Sequence, residues 1–297
     1  MTTTGAQALL SNLIDYAGLF PPAGLGMVEA AAEYARHLEG PHAWMLGRFI
    51  VPAARLDELE EALMTARVPS SSRGWSLSAL VGPAFTTHAD ELVGFNARQG
   101  GRARVESVEF RPASRFELEA ALDTIPPGLA IFVELPLDGS LDELLRMVKG
   151  RGVNGKVRTG GVVREAIPGS GPLARFLEAC ALGGVPFKAT AGLHHPVRGE
   201  HPLTYDEGAP RHTMHGFLNL FAAAALARAG MSAAEIEAVL RETDPTAFHL
   251  DGEGLGWRER RVSTDDLALM RRDFATSFGS CSFAEPVASL ETMGLLP

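Results

Sequence analysis

The sequence predicts a single domain that folds as a closed (β/α)8 TIM barrel, an α/β architecture. Short runs of β-branched and aromatic residues alternate eight times with charged amphipathic stretches, at a period of about 30 residues. Strands that alternate with helices form parallel sheets, and eight such units within 297 residues predict a closed barrel. An open doubly wound sheet is the alternative, but no glycine-rich dinucleotide fingerprint follows the first predicted strand.

Each predicted strand precedes a predicted helix. The strands are predicted at residues 13–20, 44–51, 75–81, 105–110, 130–135, 155–159, 186–191 and 247–250. The helices are predicted at 27–38, 56–66, 89–98, 115–122, 141–148, 172–182, 214–228, 232–241 and 264–274. Ser140, Ser232 and Thr264 stand where helix caps are expected, and Glu235 completes a capping box with Ser232. The residues from about 275 onward are predicted to form a surface tail.

Composition excludes several classes of function. The net charge of −9 argues against a nucleic-acid surface, which needs a basic face. The sequence contains no run of about 20 apolar residues, so a membrane span is not expected. The first residues do not resemble a signal peptide, and Cys180 and Cys281 are too few for a disulfide framework. These features predict a cytoplasmic protein and leave a homo-oligomer open.

Lysine is rare in this chain. Of the 27 Lys and Arg residues only three are Lys, and Lys156 and Lys188 occupy matching runs on predicted strands six and seven. The third, Lys149, ends a helix. Unlike arginine, lysine can lose its proton and attack a carbonyl. Because neighbouring strands lie about 5 Å apart, we expect the two ammonium groups to approach each other and, with burial, to lower each other's pKa.

Further polar residues follow the predicted strands, at the face where barrel enzymes place their chemistry. Glu134 and Glu109 are predicted to move protons, and Arg158, Arg48 and Arg111 to hold a carboxylate or phosphate. The other predicted substrate-binding residues are Asp15, Thr190, His194 and His195. The alternative is that these charges form salt-bridge layers that plug the barrel.

The two lysine motifs resemble those of the deoxyribose-phosphate aldolase group of class I aldolases. The resemblance covers residues 156–192 and the barrel layout. It implies that Lys156 forms a Schiff base and that Lys188 lowers the pKa of Lys156. The leading prediction is therefore a lyase or aldolase that acts on a small anionic carbonyl compound without a cofactor.

Two other functions remain open. Asp15, His194 and His195 are candidate ligands for a divalent metal ion, in an order that resembles lyases of the hydroxymethylglutaryl-CoA lyase type. This would make the protein a metal-dependent lyase or hydrolase. The third possibility is a barrel that binds a ligand without catalysis.

Two loops are also candidates for function. The segment 194–213 is long for a loop after a strand and holds several prolines and glycines, which predicts a lid or a subunit contact. The glycine-rich run 252–256 stands where barrels often bind phosphate, and a surface hairpin is the alternative.

Overall fold

Eight parallel strands close into a barrel in the computed structural model, which describes residues 4–65, 74–82 and 85–296. The strands of the chain are β1 (Ile14–Tyr16), β2 (Leu46–Pro52), β3 (Trp75–Leu80), β4 (Ala103–Phe110), β5 (Ala130–Glu134), β6 (Asn154–Arg158), β7 (Phe187–Thr190), β8 (Gly199–Pro202), β9 (Arg211–Met214), β10 (Phe248–Asp251), β11 (Gly254–Trp257), β12 (Arg260–Ser263) and β13 (Ala275–Ser280). Around the barrel they run from β1 to β7 in chain order, and β13 closes the ring between β7 and β1. The predicted (β/α)8 TIM barrel is confirmed.

Helices surround this barrel. They are α1 (Gly5–Leu10), α2 (Met27–Glu39), α3 (Leu56–Thr65), α4 (Phe85–Gln99), α5 (Arg115–Thr124), α6 (Leu141–Gly150), α7 (Ser170–Gly183), α8 (Phe217–Arg228), α9 (Ala233–Arg241), α10 (Thr264–Asp273) and α11 (Ala284–Thr292). The alanine-rich α8 is buried from Phe217 to Ala227, because it packs against α7, α9 and the barrel wall. Within the described ranges no helix has the length and apolar character that a bilayer span requires.

The predicted helix caps are right in part. Ser232 and Glu235 form the predicted capping box at the start of α9. Ser263, one residue before the predicted cap Thr264, accepts the backbone N–H of Asp266 at the start of α10. Ser140 precedes α6, but its hydroxyl donates to Asp138 at 2.6 Å instead of capping the helix.

The position of the eighth strand corrects the sequence analysis. Residues 247–250 were expected to be that strand, but β10 pairs with β11, which in turn pairs with β12, in a separate antiparallel sheet. The barrel is closed by β13, so the prediction of a surface tail from about 275 is wrong. The strand was missed because it is poor in large apolar residues. Ser277 faces a buried carboxylate, and Gly279 fits against Ile50 and Thr190.

The two candidate loops also have defined structures. The run 252–256 turns from β10 into β11, as the hairpin alternative predicted, and does not follow a barrel strand. The segment 194–213 contains β8 and the start of β9, which pair as an antiparallel hairpin with His201 opposite His212.

Candidate active site

Strand register brings the predicted lysines together. Lys156 of β6 pairs with Lys188 of β7, and Glu134 of β5 pairs with Lys156. Residues in register on neighbouring strands project their side chains to the same side of the sheet. These three side chains therefore form one level of the barrel interior, and all three are buried.

Glu109 of β4 joins the two lysines. One of its oxygens accepts from Lys188 Nζ at 2.6 Å, and the other lies 3.0 Å from Lys156 Nζ. Lys188 Nζ also donates to Asp15 at 2.5 Å, and Lys156 Nζ lies 3.3 Å from Glu134. The interior thus holds a chain of alternating charges in the order Asp15, Lys188, Glu109, Lys156, Glu134.

Serine hydroxyls donate to two of the buried carboxylates. Ser277 of β13 donates to Asp15 at 2.7 Å, and Ser78 of β3 donates to Glu109 at 2.7 Å. Ser107 in turn donates to Ser78 at 2.8 Å. Buried charges are tolerated only when they are paired and hydrogen-bonded, and these contacts meet that requirement.

The buried charged side chains of this row stabilise one another's ionised forms. Burial alone lowers the pKa of Lys188, but Asp15 and Glu109 outweigh burial and leave that pKa raised. Burial raises the pKa of Glu109, but Lys188 and Lys156 reverse this and hold it far below its usual range. Burial likewise raises the pKa of Glu134, and Lys156 and Arg158 bring it below normal. The expectation of a depressed pKa is therefore wrong for Lys188, because the sequence did not show that two carboxylates surround it.

A cavity of about 250 Å³ opens at the carboxyl ends of the barrel strands. Its polar lining includes Lys156, Glu109, Arg158, Thr190, His194 and Cys281, and its apolar lining includes Ala17, Phe20, Pro21, Ile50, Leu80 and Val162. Lys188 is fully buried, whereas Lys156 lines the wall of this cavity. The two lysines therefore differ in access to a ligand.

Of the three arginines predicted to bind an anion, Arg158 and Arg111 lie at the active face and Arg48 does not. Arg158 donates to Glu134 at 3.1 Å, remains about half exposed, and lines both the cavity and a neighbouring open groove of about 760 Å³. Arg111 lines the same groove, with its guanidinium 3.8 Å from Glu134. Arg48 lies elsewhere. Its guanidinium is 3.7 Å from Glu106 in a cavity at the amino ends of the strands, so its predicted role as an anion anchor is wrong.

His194 belongs to a second cluster at the cavity wall. Its Nδ1 lies 2.8 Å from Glu285, and its Nε2 lies 3.9 Å from Cys281 Sγ. Tyr205 from the 194–213 segment donates to Glu285 at 2.9 Å and lies 3.5 Å from Cys281 Sγ. Burial lowers the pKa of His194, but Cys281 and Glu285 raise it to about 9. The contact with Glu285 thus favours the protonated form of His194.

His195 has different surroundings from its neighbour. Its ring stacks on His201 with centroids 3.5 Å apart, and burial together with the charges of His201 and His194 lowers its pKa to about 4. Asp15 binds Lys188 and Ser277 instead of approaching either histidine. The three predicted metal ligands are thus not brought together, and no group of three or more His, Cys, Asp or Glu within the described residues has the geometry of a metal site. Metal dependence stays an untested prediction.

Four residues of the site were missed by sequence reasoning as contributors to it: Ser277, Cys281, Glu285 and Tyr205. The first two belong to β13 or follow it directly, and Glu285 lies in the first turn of α11. Placing the eighth strand correctly would have identified them, because residues that follow a barrel strand lie at the active face. Tyr205 lies in the long segment, and its contact depends on tertiary structure alone.

Comparisons with known proteins identify no family for this chain. No family model and no curated protein matches the chain. Among solved structures, the Bacillus cereus spore cortex-lytic enzyme SleL matches with 13% identity over 96% of this chain and 74% of that chain, at a TM-score of 0.40. The molecule is a (β/α)8 barrel with a distant structural neighbour that is an enzyme.

Proposed function

We propose that this protein is a lyase of the aldolase type, which acts on a small anionic carbonyl compound through a Schiff base on Lys156. The observation that carries the proposal is the position of Lys156. Its ammonium group lies on the wall of the cavity and within 3.3 Å of two carboxylates, Glu109 and Glu134. A nucleophilic lysine needs access to the substrate, and Lys156 has that access.

The charge pairing supports Lys156 over Lys188 as the nucleophile. If Lys156 loses its proton, Glu109 still contacts Lys188, and Glu134 still contacts Arg158. If Lys188 lost its proton, buried Asp15 would keep hydrogen bonds from Ser277 and the Arg48 backbone but no ion pair within the described part of the chain. Neutral Lys156 therefore costs less than neutral Lys188, because an unpaired buried carboxylate is strongly unfavourable.

The reaction follows from these positions. The neutral amine of Lys156 adds to the substrate carbonyl carbon, and loss of water gives a protonated imine. In an aldol substrate the β-hydroxyl proton passes to a carboxylate. The Cα–Cβ bond then breaks into an enamine, and an aldehyde leaves. Glu134 is the proposed acid and base because it is in contact with Lys156 and also lines the adjoining groove with Arg158. Arg158 is the proposed partner for the anionic group of the substrate, and Lys188 supplies a fixed positive charge.

Borohydride trapping tests the proposal. The protein is incubated with a panel of small keto acids, hydroxy ketones and aldehydes and is then reduced with borohydride. Its mass is measured by intact mass spectrometry. We expect one adduct per chain with at least one carbonyl compound, and we expect Lys156→Met to abolish it. Lys149→Met is the matched control, because Lys149 is exposed on α6 and should leave trapping unchanged. Failure to trap any carbonyl on the folded wild-type protein would contradict the proposal.

A barrel that binds a small anion without catalysis is the second candidate. It is favoured by the pairing of both lysines with carboxylates in the resting site. In that case Lys156 would hold a ligand through its charge alone. Ligand protection against thermal unfolding without trapping would then be observed, and Lys156→Arg would keep the binding.

A further inference from the structure

Cys281 lies on the same cavity wall as Lys156 but takes no part in the lysine chemistry. It follows β13 directly, and its sulfur lies 3.9 Å from Nε2 of His194. The opposite ring nitrogen of His194 lies 2.8 Å from the carboxylate of Glu285. The imidazole of His194 therefore lies between the thiol of Cys281 and the carboxylate of Glu285 and contacts both.

This order is the one that activates a thiol. A base beside the thiol takes its proton, and a third group on the other ring nitrogen fixes the orientation of the imidazole. The separation of 3.9 Å between sulfur and nitrogen is within hydrogen-bonding reach for sulfur. Protonated His194 can stabilise a thiolate at this distance. Tyr16 also faces Cys281, and its hydroxyl is engaged by Glu33 at 2.7 Å.

Access separates the two cysteines of the chain. Cys281 lines the cavity, and its neighbours are polar. Cys180 in α7 is fully buried, and burial raises the pKa of its thiol. The chain thus contains an internal reference thiol against which the reactivity of Cys281 can be measured.

We propose that Cys281 is a second nucleophile of this cavity, with His194 as its acid–base partner, and that it adds to the carbonyl of a small anionic aldehyde. Nε2 of His194 takes the thiol proton, sulfur forms a bond to the carbonyl carbon, the π electron pair moves to oxygen, and His194 returns the proton to that oxygen. The product is a hemithioacetal, and no group leaves. Glu285 is a positioning residue, which acts through His194.

The cavity favours this class of electrophile. Its volume of about 250 Å³ lies below the range usual for drug-sized ligands, so it suits a compound of a few carbons. Arg158 on the wall offers a partner for a carboxylate on that compound. Addition to an aldehyde needs only a proton donor, which His194 supplies. The proposal stands independently of Schiff-base formation on Lys156.

Alkylation by iodoacetamide measures the reactivity of the thiol. We expect Cys281 to react at pH 7 at least about tenfold faster than Cys180, because an unassisted thiol is only a few per cent thiolate at that pH. In His194→Gln and Glu285→Gln the alkylation rate of Cys281 at pH 7 should be lower than in the wild type. This difference from the wild type should narrow as the pH rises, because thiols ionise at high pH without a neighbouring base. His42→Gln is the matched control, since it breaks another His–Glu contact to α11, at 3.0 Å from Glu291.

Glyoxylate tests the electrophile class. It should protect Cys281 from alkylation, and the protection should persist in Lys156→Met, where no Schiff base can form. Protection that disappears in Lys156→Met would assign the aldehyde to the lysine and overturn the proposal. Cys281 reacting no faster than Cys180 in the folded wild type would also overturn it.

Discussion

At the scale of single residues, the site depends on Glu109, which contacts both lysines inside the barrel. Its carboxylate is fully buried and is kept ionised by the two ammonium groups. A residue that serves two cations cannot be replaced by a neutral amide without leaving charge uncompensated. Glu109 therefore contributes both to the stability of the fold and to the proposed catalytic site.

Glu109→Gln should lower the free energy of unfolding by about 3–5 kcal/mol, because it breaks two buried ion pairs. Urea unfolding at pH 7 measures the change. Glu106→Gln on the same strand is the control, since its carboxylate is partly exposed and lies 3.7 Å from Arg48, and a change within about 0.5 kcal/mol is expected there. Equal effects of the two substitutions would contradict the buried network.

His194 gives a pH dependence of known sign. Its pKa is about 9 in the folded protein against 6.5 as the ordinary value, so folding favours the protonated form. The stabilisation is fully present below pH 6.5 and is lost as the pH rises through 9. The difference in unfolding free energy between wild type and His194→Gln should therefore shrink over this window. His215, whose pKa is lowered mainly by burial, should show the opposite slope, with stability lost as the pH falls. A pH-independent difference for His194→Gln would contradict its ion pairing.

At the scale of elements, the loops after β6 and β7 approach each other closely. A Cβ on Gly192 would lie 2.7 Å from Cα of Gly160, and Gly192 has a φ of +76°. Both the contact and the left-handed backbone require glycine at this position. The loops that follow the strands of Lys156 and Lys188 are therefore in close contact.

Gly192→Ala should destabilise the fold by at least about 1 kcal/mol more than Gly128→Ala. Gly128 also has a positive φ, of +88°, but nothing lies within 4 Å of a Cβ placed there, so it isolates the cost of the backbone conformation. Thermal unfolding of the two variants measures the difference. Similar melting temperatures would show that the two loops are not tightly packed.

Strand β13 shows what element-level patterns miss. The other barrel strands were recognised by their apolar side chains, whereas β13 contributes Ser277 and Gly279 to the interior and supports the charged chain. An interior that is polar for functional reasons removes the hydrophobic signal on which strand recognition depends. Strand β10 was predicted in its place because its aromatic and aliphatic residues match a strand pattern, but β10 belongs to a separate sheet outside the barrel.

At the scale of the whole molecule, periodicity alone predicted the barrel and the positions of Lys156 and Lys188 on adjacent strands. The partners of these lysines were not predictable, because the contacts of Asp15 and Glu109 arise across strands β1, β4 and β7, far apart in sequence. The same holds for Tyr205, which reaches Glu285 over 80 positions. Sequence patterns show which residues line a face, and closure of the barrel decides which of them meet.

The central claim is that Lys156 is the lysine that reacts with a carbonyl substrate. Peptide mapping of the borohydride-reduced adduct tests it most directly, since the chain has only three lysines to distinguish. We expect the label to be confined to the peptide containing Lys156, with Lys149 and Lys188 unmodified. Label on Lys149, or on Lys188 of the folded protein, would contradict the assignment of Lys156 as the reactive lysine.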